Sequence, residues 1–177
     1  MSVVAMIVVG VLGRPLGGEP PTARQTRPQQ KLELLVGTWN YVGKDLTSPF
    51  GPGGDAVVSL MCEWLRGGYF VVCHENGRLG ATAFSKLEVY GYSPETESYT
   101  YSSFDSGGAS QSQLCTIDSV TLRCQGEDRT AAGQPVRTRV VMSGEDGSSD
   151  RFAFTWEYST DGKEWSTGGK GRVTRRR

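Results

Sequence analysis

Histidine is almost missing from this chain: His74 is the only one in 177 residues. A multi-histidine metal site is thereby excluded, and catalysis built on several imidazoles goes with it. Net charge is missing too, because 19 Lys and Arg balance 19 Asp and Glu. Such a chain has no field of its own to recruit nucleic acid or an anionic membrane. Its one basic cluster, Arg172-Val173-Thr174-Arg175-Arg176-Arg177, reads as a solvated tail. The four cysteines contain no CxxC pair, so their spacing does not suit zinc. Long hydrophobic runs are also lacking. Val3 to Leu12 is apolar but falls short of the ~20 residues needed to span a bilayer, so no stable membrane insertion is expected. Its length does fit a secretory h-region of about 7–15 residues. It forms an atypical signal-peptide-like segment, since no Lys or Arg precedes it and Ala23 after Pro-Thr is a poor cleavage site. Gly13 to Gln30, rich in Pro, Gly and Arg, reads as a disordered linker. The expected division is 1–30 as leader and linker and 31–177 as one folded domain, exported to the periplasm or secreted.

What the chain has in quantity is glycine, 24 residues, many in Asp/Asn/Ser-Gly turns. The stretch Met61 to Glu75 shows the organising pattern. Two runs of aromatic and branched residues flank Gly67-Gly68, a pair able to take the positive φ angles of a two-residue type I′ turn. Counting outward places Leu65 opposite Phe70, Trp64 opposite Val71, Glu63 opposite Val72 and Cys62 opposite Cys73.

Further strands are predicted from a glycine-opened start at Gly37 to Tyr41, then Asp55 to Leu65, Tyr69 to Glu75, Phe84 to Tyr92 and Ser98 to Asp105. Ser110 to Ile117, Val120 to Gln125, Gln134 to Met142, Arg151 to Tyr158 and Trp165 to Arg175 complete the set. Asn76 to Ala81 reads as a polar loop, and Leu32 to Val36 as a short helical or irregular lead-in. About ten short strands joined by hairpins argue for an all-β, antiparallel up-and-down meander, closed into a barrel so that no edge is exposed.

Four cysteines allow three disulfide connectivities. Hairpin geometry favours Cys62–Cys73 and Cys115–Cys124, the first at a hydrogen-bonded pair with Cα atoms about 5.5 Å apart. Two pairs of buried reduced thiols are the alternative in a reducing compartment.

From Leu34 to Arg175 the chain resembles a bacterial family of domains of unknown function, family 1579, with a lipocalin-like (calycin) barrel. The resemblance lies in Leu35-Val36-Gly37-Thr38-Trp39, in Cys62-Glu63-Trp64 with Gly67-Gly68 and Val71-Val72-Cys73, and in Gly91-Tyr92-Ser93-Pro94 through Tyr99-Thr100-Tyr101 to Asp105-Ser106. Phe154-Thr155-Trp156-Glu157 and Asp161-Gly162-Lys163 complete it. The chain departs from the family at Ser93, where Asp is usual, and in its second cysteine pair, Cys115 and Cys124. The resemblance implies a closed barrel and a secreted or periplasmic setting, with no reaction attached. It also implies that Trp39 sits at the closed end of the barrel, covered by Arg175, or by Arg172 in a different register.

Catalytic constellations are thin. Asp105, Ser106 and His74 can be combined on paper into a triad, but no nucleophile elbow supports them, and serines beside Asp and Gly form turns first. His74 falls on the face of Glu63, Leu65, Phe70 and Val72, where a packing or hydrogen-bonding role is the simpler reading. Glu63 and Glu157 would have perturbed carboxyls only if they pointed inward, and solvent is the expected direction. Nitrobindin-like barrels share the Gly-x-Trp opening, but their haem-binding His lies in the carboxy-terminal part, where this chain has none. No catalytic residue, metal or cofactor is assigned.

The leading expectation is an exported barrel that binds a small apolar or amphipathic molecule through Trp64, Tyr90, Tyr92, Tyr99, Tyr101, Phe154 and Trp156, with no nucleic acid involved. Such rings bring apolar area, and tyrosines add a hydroxyl that fixes orientation. The alternatives are an extracellular interaction or structural module whose barrel is filled by those rings, and a small barrel enzyme, an isomerase or hydrolase.

Overall fold

The computed structural model describes residues 26–130 and 132–176. The apolar run Val3 to Leu12, on which the export reading rests, lies outside them. Ten strands follow in order: β1 (Gly37–Asp45), β2 (Gly54–Trp64), β3 (Val71–Leu79), β4 (Thr82–Ser93), β5 (Ser98–Asp105), β6 (Ser110–Asp118), β7 (Thr121–Arg129), β8 (Pro135–Gly144), β9 (Arg151–Ser159) and β10 (Ser166–Arg175). Each pairs antiparallel with its sequence neighbours, and β1 pairs with β10 from Trp39↔Arg175 to Asp45↔Gly169. The result is a closed meander barrel of the expected lipocalin-like kind, in which no strand is left as an edge.

Two details differ from the sequence reading. Asn76 to Leu79 belongs to β3, so only Gly80 and Ala81 connect it to β4. Gly77 permits the extension, because a Cβ there would press on the Val57 carbonyl and the Phe84 ring. Secondly, the β2–β3 connection is a four-residue loop, Arg66 to Tyr69, closed by the Leu65 N–H on the Phe70 carbonyl at 2.8 Å. Gly67 and Gly68 do take positive φ, at 104° and 73°. The loop keeps the expected register, Cys62↔Cys73 included, but shifts the hydrogen-bonding phase by one pair. Cys62 and Cys73 therefore face each other at a close, non-hydrogen-bonded position, with Cα atoms 4.0 Å apart. Both expected disulfides, Cys62–Cys73 and Cys115–Cys124, are formed and point into the barrel.

The described residues begin at Thr26, within the stretch read as linker. Thr26 caps a single helical turn, α1 (Arg27–Gln30), through a reciprocal capping box with Gln29. A 3₁₀ helix, Lys31–Leu35, continues it and inserts Leu32 and Leu35 into one end of the barrel. Around that plug lie Trp39, Val71, Ile117, Leu122, Phe152 and Val173, all buried. The Trp39 indole donates to the Leu35 carbonyl at 2.8 Å, and the Arg175 guanidinium lies 4.0 Å above its ring. Arg175 also donates to the Val36 carbonyl and to Asp150. A side chain on Gly37, at φ +134°, would collide with that guanidinium, which is why glycine opens β1.

Candidate functional site

Above the plug the barrel is hollow. A cavity of about 490 Å³ runs from Trp39 and Phe152 at the closed end to Asp45, Asp105 and Asp128 near the opposite strand ends. Strand alternation decides what faces it. On β10 the inward positions include Gly169 and Gly171, with Gly168 at a bulge between β9 and β10. These glycines make room for rings from neighbouring strands: a Cβ at Gly168 or Gly169 would strike the Trp156 indole, and one at Gly171 the Tyr41 ring. Trp156 leans across and donates to Asp45 Oδ1 at 3.0 Å. Tyr41 stacks edge-on against Phe154 with centroids 5.1 Å apart.

On the other wall β3, β4 and β5 turn a polar set inward. Glu75 and Glu88 are 8% and 7% exposed. Lys86 lies between them, 3.3 Å from Glu75 and 3.9 Å from Glu88. Glu88 also accepts from the Tyr101 hydroxyl at 2.9 Å and the Tyr90 hydroxyl at 3.2 Å. Burial pushes the Glu75 carboxyl up to about 7, with Lys86 opposing the shift and Glu88 adding to it. Burial disfavours the Lys86 ammonium, but Glu75 and then Glu88 outweigh it and hold its pKa above the ordinary lysine value. The Tyr90 and Tyr101 phenols are raised well above theirs, first by burial and then by Glu88.

Tyr41 is also raised, by burial and then by Asp45 and Glu75. Its hydroxyl is buried and has no hydrogen-bond partner among the described residues. Nearer the mouth, Gln111 Nε2 donates to Asp128 at 2.7 Å and to Thr138 at 3.3 Å.

Of the seven aromatics expected to contact a ligand, Tyr90, Tyr101, Phe154 and Trp156 line this cavity. Trp64, Tyr92 and Tyr99 do not. They hold the plug instead: the Trp64 indole donates to Glu33 at 2.7 Å, the Tyr99 hydroxyl donates to the Pro28 carbonyl at 2.8 Å, and Tyr92 packs on Tyr99 at 5.2 Å. The sequence reading missed Tyr41, Glu75, Lys86 and Glu88. On β4 the usual polarity is inverted, since Lys86 and Glu88 point inward whereas Leu87 points outward beside the exposed Phe104. A rule that sends apolar residues inside selects the wrong face there. The small inward positions of β10, Gly169 and Gly171, were the available signal, because glycine in a strand interior marks the close approach of another group.

Of the residues weighed for catalysis, Asp105 borders the cavity near its mouth and the others stand elsewhere. His74 is exposed on the outer wall, on the face expected for it. Asp105 caps its turn by accepting from the Gly107 and Ala109 N–H groups, and Ser106 accepts from the Ser85 N–H. Glu63 is exposed, and Glu157 pairs with Arg139 on the outside. Among the described residues, no three His, Cys, Asp or Glu side chains come close enough to share a metal ion, and no helix is long and apolar enough to cross a membrane.

The barrel is similar to that of Rv2717c from M. tuberculosis, with a TM-score of 0.59 and 10% identity over 86% of this chain and 99% of that one. It is also similar to the S-type phycobiliprotein lyase CPES from Guillardia theta, with a TM-score of 0.56 and 10% identity over 91% and 98% of the two chains. At this identity the likeness is one of fold. No curated protein matches the sequence. The family model described as protein of unknown function (DUF1579) does match, over residues 24–175, and with its lipocalin-like closed barrel this chain belongs to that family.

Proposed function

We propose that this protein binds a small, partly apolar molecule inside its barrel. The observation that carries the reading is the cavity of about 490 Å³, closed at one end by a packed plug and lined by aromatic rings with a few converging polar groups. That volume suits one ligand of modest size. Tyr90, Tyr101, Phe154 and Trp156 supply the walls, joined by Tyr41. The space also weighs against a barrel filled by its own aromatics, because the residues that do fill it gather at the plugged end.

We place the protein outside the reducing cytosol. Two disulfides support that placement, and the apolar run Val3 to Leu12 would act as its export signal. Sequencing the amino terminus of the protein secreted by its own host tests this, and an intact Met1 would overturn it.

Native mass spectrometry of the exported protein, compared with the same sample denatured, tests the binding reading. A non-covalent adduct that disappears on denaturation is expected. An apo mass that persists after incubation with a panel of amphipathic molecules would overturn it.

A further inference from the structure

We propose that the barrel selects a molecule carrying a positively charged amine on an apolar body, an inference that rests on the ligand-binding reading above. Its first ground is the composition of the cavity wall. Asp45, Glu75, Glu88, Asp105 and Asp128 line it, and among the described residues Lys86 is its only cationic side chain. Lys86 is already engaged by Glu75 and Glu88. The three aspartates near the mouth form no ion pair among the described residues. Their hydrogen-bond donors are neutral: the Trp156 indole on Asp45, two backbone N–H groups on Asp105, and the Gln111 amide and the Arg129 backbone N–H on Asp128. Neutral donors orient a carboxylate without cancelling its charge, so the cavity keeps a negative potential. An anionic ligand would meet several like charges there.

The second ground is independent of the acids. The buried Tyr41 hydroxyl has no hydrogen-bond partner among the described residues. Its oxygen can accept from an N–H brought in by a ligand, and satisfying it would remove the penalty of an unpaired buried polar group. Asp45 and Glu75 line the same cavity as this phenol. The Trp156 and Tyr90 rings add faces on which a cation is held by the ring quadrupole. Because no three acidic side chains converge among the described residues, the arrangement suits an organic cation better than a metal ion.

Glu75 makes the binding pH-dependent. The charged and titratable groups around it are Lys86 and Glu88 on β4, Tyr90 and Tyr101 on β4 and β5, and Tyr41 on β1, with only apolar side chains facing it from β2. Its carboxyl titrates near 7. A bound ammonium would favour the carboxylate, so affinity should rise between pH 6 and 8 with release of a proton.

The test uses the full chain and three probes with one tail: octylammonium, octanol and octanoate, titrated by calorimetry and by tryptophan fluorescence at pH 8. Octylammonium should bind about tenfold more tightly than octanol, with octanoate weakest. The double variant Glu75→Gln with Asp128→Asn, checked for its fold by circular dichroism, should lower the ammonium-to-octanol ratio severalfold. If octanol or octanoate binds as well as octylammonium, the amine preference is overturned while the cavity reading stands. If the ratio is unchanged in a folded double variant, these carboxylates are not its source and the proposal fails. If none of the three binds, the cavity reading fails and takes this proposal with it.

Discussion

The two ends of one barrel are built on opposite principles. At the closed end, Leu32, Trp39 and Phe152 are all but inaccessible, and the polar side chains around the plug are partnered: the Trp39 indole on Leu35, the Tyr99 hydroxyl on Pro28, Arg175 on Val36 and Asp150. Toward the open end the same strands turn Glu75, Lys86, Glu88 and Asp128 inward and leave the Tyr41 hydroxyl without a partner among the described residues. The first arrangement stabilises, since apolar area is buried and hydrogen bonds are complete. The second works against stability, because it desolvates charge. A protein keeps such a feature where it has a use, and the contrast is the reason for placing function at the open end.

Variants at the two ends should therefore move stability in opposite directions. Trp39→Ala removes the stacked indole and its hydrogen bond from the closed end and should cost about 3–5 kcal/mol in urea unfolding. A loss under about 1 kcal/mol would refute the role given to this residue. Replacing either cysteine pair by serine, Cys62 with Cys73 or Cys115 with Cys124, should cost about 2–4 kcal/mol by the same measurement. A neutral result would show that the bridge constrains little.

At the open end, Glu75→Gln should stabilise. Its folded pKa of about 7 lies above the ordinary glutamate value of 4.5, so the native state holds an extra proton between those values and stability falls as pH rises through that window. Relief in the variant should reach on the order of 2–3 kcal/mol above pH 7 and vanish below about pH 4.5. An identical pH–stability curve in the variant would break the comparison. The smallest effect expected is from Tyr41→Phe, which deletes the unpaired hydroxyl and should stabilise by about 1 kcal/mol. A destabilisation of that size would show that the hydroxyl has a partner in solution.

Much of the fold was readable in the residues. Alternation in Arg151 to Tyr158 and the turn at Asp161-Gly162 marked β9 and its connection, and counting from Gly67-Gly68 placed Cys62 opposite Cys73. The count succeeded although the loop has four residues instead of two, because both loops share a centre. Only the hydrogen-bonding phase depended on the loop's length. The site was less readable. Seven aromatics were equally plausible as wall, yet Trp64, Tyr92 and Tyr99 went to the plug, since strand position alone does not say which end of a barrel is closed. That was settled by Thr26 to Leu35, whose capped turn folds back under the barrel.

The sequence by itself determined most of the strands, their order and which cysteines face each other, because these rest on local periodicity and on turns that span a few residues. Tertiary structure alone decided that Lys86 and Glu88 face inward while Leu87 faces out, that Tyr41 and Trp156 lean over the glycines of β10, and that a cavity remains between them. Closure is the physical reason. Once β1 pairs with β10, every strand has one face inside a space whose radius is set by all ten together, and what fits there depends on side chains distant in the chain.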